Sequence, residues 1–459
     1  MAKKSLVTNA AVLAVAGIFV KVLGAFFRIP LANWIGSRGM ANYSPAYSLY
    51  AVLLVISTSG IPIAISRMVA ERYAIGEYSE ADRVFRISRL LMTGLGILGF
   101  VVVFFFAEPI AAFMNLEGSA LSMKATAFAL LIVPIMSSYR GYFQGQQEMT
   151  PTALSQIVEQ LFRVGIGLTL AWVLMHGSLF AGHYNEGARG AAGGCFGASA
   201  GAIGGLAVML IIYAVSRKEL RERIQSSISE HKEAAGSILK SIFVIAIPIT
   251  IGAMIMPLVN LIDATIVNRR LVASGWEADV AEDIYGQLVG FAEPIVAFPQ
   301  VIMVAIVMSI VPMVAAANKI KDQEGLQRTI SLGMRMATMI GFPCAVGLCI
   351  LSKPALLMLY FTQRESAENA TLTLQVLSIS FIFLALITIM NGILQGIGKQ
   401  NYPVVNLAIG VAVKIVVTWV LVAIPSINVV GAPIGTMVAY IIAAGLDFAC
   451  IPGSARSAF

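Results

Sequence analysis

Lys21 and Arg28 stand seven residues apart in the apolar stretch GIFVKVLGAFFRIPL, Gly17 to Leu31. On an α-helix that spacing leaves two side chains about 20° apart in azimuth and about 10.5 Å apart in height, so both cations line one face. A positive charge at the centre of a bilayer costs roughly 2.5–3.5 kcal/mol on insertion scales, and charges placed there usually face a bundle interior or water. Arginine offers a planar fork for phosphate oxygens and lysine a mobile point charge, so the two together suit a phosphate or pyrophosphate. The competing reading is snorkelling to the interface, which applies more to Arg28, near the outer end, than to the deeper Lys21. Gly24 and Pro30 offer places for the helix to bend and bring backbone to a ligand.

Further charges fall in or beside apolar runs. Arg67, in SGIPIAISRMVAER, reads first as an interfacial arginine and second as the edge of the same anion site. Glu159 and Arg163 are at i and i+4, a spacing that allows an internal ion pair. Asp263 in NLIDATI and Lys414 have no partner nearby in sequence, and because an unpaired buried charge is expensive, the two are expected to meet. Glu293, in GFAEPIVAFP, reads equally as a water-facing residue and as a functional one.

The elements that must position these groups are membrane helices. The 459 residues are 58% hydrophobic and only 12% charged, against about a quarter charged in soluble domains. Apolar runs of about 20 residues, the length that crosses a hydrocarbon core, recur throughout. Twelve spans are expected, centred in residues 7–29, 47–65, 87–107, 123–138, 153–175, 193–214, 241–267, 285–316, 329–351, 372–390, 404–424 and 431–451. The first is read as a retained span, since it lacks a cleavage pattern. With Lys3 and Lys4 inside, 20 loop cations lie on the inner side and 7 on the outer, which places both termini in the cytoplasm.

The segment GYFQGQQEMTPTALSQIVEQLFR, ending at Arg163, aligns without a gap on GILQGIGKQNYPVVNLAIGVAVK, ending at Lys414. GGCFG (193–197) echoes GAPIG (431–435), and Pro62 is matched with Pro312. These repeats divide the chain into a six-helix lobe (1–215), a basic cytoplasmic linker (216–240) and a second six-helix lobe (241–459). Six spans per half make the repeats parallel, a symmetry common in transporters.

Four cysteines in apolar segments without metal-ligand spacing read as packing residues, and His176, His183 and His231 lie in or beside loops. No Walker, zinc or Ser-His-Asp signature appears, so neither cofactor nor metal is expected and the chain reads as a transporter, not an enzyme. The net charge of +7 belongs to membrane loops rather than to nucleic-acid binding.

The stretches VKVLGAFFRIPLANWIG, YSPAYSLYAVLLVISTSGIPIAISRMVAE and VVGAPIGTMVAYIIAA resemble the stage V sporulation protein B and YtgP type of polysaccharide transporters. These are relatives of the MurJ-like lipid II flippases in the multidrug/oligosaccharidyl-lipid/polysaccharide (MOP) superfamily. The resemblance covers nearly the whole chain. It implies an all-α membrane protein of two six-helix bundles around a central cavity. It also implies movement of an undecaprenyl-pyrophosphate-linked saccharide from the inner to the outer leaflet of a bacterial cell membrane by alternating access, with cell-wall synthesis enzymes as conceivable partners. The positions matching the family's pyrophosphate-holding cations are Lys21, Arg28 and Arg67. Relatives commonly have fourteen helices where twelve are read here, and some place a sodium ligand where Lys414 stands, which disfavours a bound cation. The alternatives are a multidrug extruder of the same superfamily, driven by protons or sodium, and a flippase for capsule, teichoic or O-antigen precursors.

Overall fold

A computed structural model describes residues 6–180, 182–228 and 233–451. Lys3, Lys4, His231, Lys232 and Arg456, which enter the sequence reading, lie outside the described residues. Among those described the chain is helical, with no strand. The first seven helices are α1 (Leu6–Val55), α2 (Ile61–Ala74), α3 (Tyr78–Phe113), α4 (Ser119–Gly145), α5 (Thr150–His176), α6 (Glu186–Gln225) and α7 (Ala235–Ala273). They are followed by α8 (Ala278–Gly286), α9 (Glu293–Lys319), α10 (Gln323–Ile350), α11 (Ser352–Leu359), α12 (Arg364–Asn369), α13 (Thr371–Gly396), α14 (Asn401–Val422) and α15 (Gly431–Cys450). Short π-helical segments, Ile56–Gly60 and Gln287–Ala292, lead into α2 and α9.

Eleven described stretches are long and apolar enough to cross a membrane. The expected first and second spans lie in one of them, Val15–Ala74. It is interrupted at Gly36, where φ 69° and ψ −176° leave the helical region. A positive φ is costly for residues with a Cβ, so glycine takes the break, which therefore falls at Gly36 rather than at Gly24. The polar stretch read as a linker over 216–240 is also shorter than its composition suggests, because α6 continues to Gln225 and α7 begins at Ala235. Charged side chains do not end a helix that has left the membrane.

The chain forms two compact units. Unit 1 comprises the chain up to Phe27 with Pro45–Phe113 and Glu117–Leu261, and unit 2 comprises Arg28–Ser44, Met114–Leu116 and the chain from Ile262. In unit 1, α5 and α6 pack closely because glycines recur along α6 at every fourth position. A Cβ on Gly197 or Gly201 would stand 2.5 Å from the carbonyl oxygen of Arg163 or Glu159. Small residues that admit a neighbouring backbone are the usual membrane-helix interface. In unit 2 the same seat recurs: a Cβ on Gly435 of α15 would lie 2.4 Å from Thr418 Oγ1 and 3.2 Å from the Lys414 carbonyl oxygen.

The repeat is thus visible as packing, with one difference in register. Gly141 lies under Pro62, and its repeat partner Gly392 lies under Val307, so the structure aligns Pro62 with Val307, five residues before Pro312.

The α1 segment belonging to unit 2 is held by polar contacts on both sides of the Gly36 break. Asn33 Nδ2 donates to the Leu359 carbonyl at 2.8 Å, and Thr362 Oγ1 donates to Asn33 Oδ1 at 2.8 Å. Ser37 donates to Asp283, Asn42 to Glu282, and Arg38 Nη1 reaches Asp279 Oδ2 at 3.2 Å.

Candidate functional site

Both units hold charges inside their helices. In unit 1 the centre is Glu159 of α5. Arg163, one turn further on, donates through Nη2 to Glu159 Oε1 at 3.2 Å, and Arg140 of α4 donates through Nη2 to Oε2 at 2.8 Å. Arg140 Nε also donates to Ser155 Oγ at 2.9 Å, and Arg163 Nη1 reaches Tyr47 Oη at 3.3 Å. One carboxylate therefore serves two guanidinium groups. Tyr50 is buried beside it; its hydroxyl finds no partner, and the charges of Arg163, Glu159 and Arg140 act on it.

Sequence reading assigned Arg140 to a loop and did not single out the tyrosines. Arg140 stands five residues before the end of α4, and a short turn after Gly145 leads into α5, whose Glu159 takes the Arg140 guanidinium. The signal that could have found it is a charge one turn or so before a tight helical hairpin whose second helix already carries an acid.

In unit 2, Lys414 of α14 is 5% exposed, and its ammonium donates to the Asp263 carboxylate of α7. The two residues are 151 apart in the chain. Glu293, the first residue of α9, is solvent-accessible, and the charges acting on it are those of Arg28, Asp263 and Lys414. Tyr285 and Tyr440 are in the same electrostatic neighbourhood, Tyr285 with Glu293, Asp263 and Arg28, and Tyr440 with Asp263 and Glu293. Two cations and two carboxylates thus share one region, with a fixed pair at Asp263–Lys414.

The trio assigned to pyrophosphate is distributed differently. Arg28 is half-buried and belongs to unit 2, whereas Lys21 and Arg67 belong to unit 1. Lys21 is exposed, and among the described residues it has no ion-pair partner. Arg67 is exposed and donates through Nε to Glu71 Oε1 at 2.9 Å, an i,i+4 pair on its own helix. No hydrogen bond or ion pair joins Lys21 to Arg67. Among the described residues no group of three or more His, Cys, Asp or Glu side chains is arranged to hold a metal.

Long apolar helices that carry charges define a multi-pass membrane protein. The fold is that of the MOP superfamily. An inward-facing multidrug-resistance MATE family transporter of that superfamily aligns over 97% of both chains with a TM-score of 0.72 and 13% identity, and an outward-facing one over 96% of this chain and 94% of its own with 0.60 and 13%.

The chain belongs to the polysaccharide biosynthesis protein family, whose model matches residues 6–318, and a MatE model matches 288–420. It is 30% identical to the uncharacterized membrane protein YabM of Bacillus subtilis, over 96% of this chain and 78% of YabM. It is 28% identical to the lipid II flippase MurJ of the same organism, over 92% of this chain and 78% of MurJ. With its stage V sporulation protein B it shares 25% over 98% and 84%. The chain is accordingly a multi-pass membrane transporter of the superfamily, not an enzyme.

Proposed function

We propose that the protein moves a polyprenyl-pyrophosphate-linked saccharide, of the lipid II kind, from the inner to the outer leaflet of a bacterial cell membrane. The observation that carries this reading is the cationic charge on the apolar helices of unit 1: Lys21 with no ion-pair partner among the described residues, and Arg140 and Arg163 both drawn to Glu159. Such a surplus favours a multiply charged anion and disfavours a cationic drug. The similarity to a named lipid II flippase supports the same substrate class. Lys21 is the proposed pyrophosphate contact, with Arg28 and Arg67 as secondary cations, and no cofactor takes part. Inner-side placement of both termini, two lobes joined over 216–240, and association with cell-wall synthesis enzymes complete the proposal.

A second reading, extrusion of cationic compounds in exchange for protons or sodium, draws on Glu293, an accessible carboxylate within a candidate span. The two are separated by complementation of a flippase-depleted bacterium together with a leaflet-specific assay for lipid II. Rescue by the unaltered chain and by Lys21→Arg, but not by Lys21→Ala, is the expected result. No rescue, accompanied by resistance to cationic dyes that depends on Glu293, gives the extruder.

A further inference from the structure

One end of the α14–α15 pair in unit 2 holds an acid that none of these networks uses. Asp447 of α15 is 1% exposed, and its Oδ1 accepts from Asn406 Nδ2 of α14 at 2.8 Å. The other oxygen, Oδ2, is buried and has no hydrogen-bond partner. Asn406 Nδ2 also lies 3.6 Å from Cys450 Sγ, so both of its hydrogens are engaged and neither is left for Oδ2. Among the described residues no cation lies within ion-pair distance of Asp447.

The helices packed on α15 are α13 and α14. Along its whole length α13 carries no titratable side chain. On α14 the titratable residues are Tyr402 and Lys414, and Lys414 lies beside Gly435, about 18 Å along α15 from Asp447. On α15 itself they are Tyr440 and Cys450. A cation stands in the turn before α14: Lys399 is half-buried, and its Nζ reaches the Cys450 carbonyl oxygen at 3.4 Å. A row of polar contacts thus runs from Lys399 through Cys450 and Asn406 to Asp447.

This arrangement identifies the ligand. An ionised carboxylate buried with one oxygen bare gives up hydration that nothing replaces, and a group so placed is neutralised instead. A metal ion would require a shell of oxygen ligands, whereas the neighbours here are an amide nitrogen, a thiol and, beyond them, an ammonium. A proton requires only the bare oxygen. Ionisable residues within membrane helices commonly serve such relays.

We propose that Asp447 is a proton-binding site of unit 2 that exchanges its proton against Lys399. In the loaded state Oδ2 carries the proton, and the carboxyl sits neutral between α14 and α15. On release the O–H bond breaks, its electron pair stays on Oδ2, and the proton passes to water at the end of the span where Lys399 stands. The Lys399 ammonium then leaves the Cys450 carbonyl, one turn further along α15, and supplies the counter-charge. The site lies on the helix pair that carries Lys414 and is independent of what the protein transports.

The test is infrared difference spectroscopy on the full chain in nanodiscs, stepped from acid to alkaline pH. The unaltered protein is expected to show the carbonyl band of a protonated carboxylic acid at neutral pH and to lose it reversibly on alkaline titration, and Asp447→Asn is expected to lack that band. Lys399→Gln should keep the band about one pH unit further into the alkaline range, because removing a nearby cation disfavours the carboxylate. Lys319→Gln, which removes an exposed cation elsewhere in unit 2, should leave the titration unmoved. If Asp447→Asn does not fold, the Lys399→Gln titration decides. Persistence of the band in Asp447→Asn overturns the proposal, as does an unmoved titration in Lys399→Gln. Loss of the band on adding sodium at constant pH also overturns it, in favour of a metal cation.

Discussion

Arg163 in unit 1 and Lys414 in unit 2 occupy equivalent places in the repeat, yet each is neutralised by a different construction. Arg163 finds its acid one turn back on its own helix, and that acid is shared with Arg140 from α4. Lys414 finds its acid on α7, 151 residues away. The chemistry of the two side chains accounts for the contrast. A guanidinium has five donors in a fixed fork and can serve Glu159 and Tyr47 together, whereas an ammonium is a compact point charge that one well-placed carboxylate can satisfy. A same-helix pair forms whenever α5 forms and carries no information about assembly. The Asp263–Lys414 pair exists only when α7 and α14 are correctly packed.

This difference sets the largest predicted effect. Asp263→Asn leaves a 5%-exposed ammonium without its hydrogen-bonded carboxylate, a change that typically costs 3–5 kcal/mol. Glu159→Gln keeps a neutral acceptor for one arginine while Ser155 and Tyr47 remain for the others, so about 2–3 kcal/mol is expected, near the value of hydrogen bonds to charged groups. Unfolding of the purified protein in detergent, followed by scanning fluorimetry, should therefore rank Asp263→Asn below Glu159→Gln. The double variant Asp263→Asn/Lys414→Met should recover most of the loss, because it removes both charges. Equal stabilities for the two acids' variants, or additive losses in the double variant, would dissolve the contrast between local and long-range pairing.

The same contrast explains what could be read from the sequence. The helical class and the spans were legible because apolar length reports directly on membrane crossing. Glu159–Arg163 was legible as a spacing, and the meeting of Asp263 with Lys414 followed from the cost of leaving either alone. What sequence did not convey is which further groups converge. Arg140 was counted with the loops because it stands near the end of its apolar run, and only the fold of the α4–α5 hairpin turns it inward. Tyr50, Tyr285 and Tyr440 are ordinary apolar-face residues in a periodicity reading, and their place beside charges depends on tertiary packing. Arg28 shares a helix face with Lys21 in an ideal helix, yet the chain assigns them to different units. The shared spacing alone therefore does not make one site of them.

The glycine seats beneath the two cations offer a finer comparison. At Gly197 an added Cβ meets backbone, the Arg163 carbonyl oxygen at 2.5 Å and Gly167 Cα at 2.8 Å. At Gly435 the closest atom is the Thr418 hydroxyl, at 2.4 Å, and backbone begins only at 3.2 Å. Backbone in a packed bundle cannot turn aside, whereas a threonine can change rotamer. Gly197→Ala is expected to cost about 1–3 kcal/mol, the range for overpacking, and Gly435→Ala less than half of that. Adding Thr418→Ala should restore the Gly435→Ala protein but has no counterpart at Gly197. Thermal unfolding of the three variants measures the difference, and a Gly435→Ala loss as large as that of Gly197→Ala would show that the two seats are equally rigid.

The smallest effect lies outside the membrane helices, where Glu233 precedes α7. A hydrogen bond from Ser237, at 2.7 Å, and the guanidinium of Arg72 hold its carboxyl below the ordinary value of 4.5, against the opposing effect of partial burial. A carboxyl lowered on folding releases its proton more readily in the folded chain. Its stabilisation is therefore fully present above about pH 4.5 and is lost as pH falls through the lower, folded value. Because the pair is partly exposed, about 1 kcal/mol or less is at stake. Unlike the buried pairs, it should weaken with added salt. The unaltered protein should thus lose slightly more stability than Glu233→Gln between pH 5 and pH 3.5, with the gap narrowing in high salt. Identical pH profiles for the two proteins would mean that Arg72 and Ser237 leave the carboxyl's proton affinity unchanged on folding. In that case pairing at the ends of the helices contributes nothing that the interior pairs do not already supply.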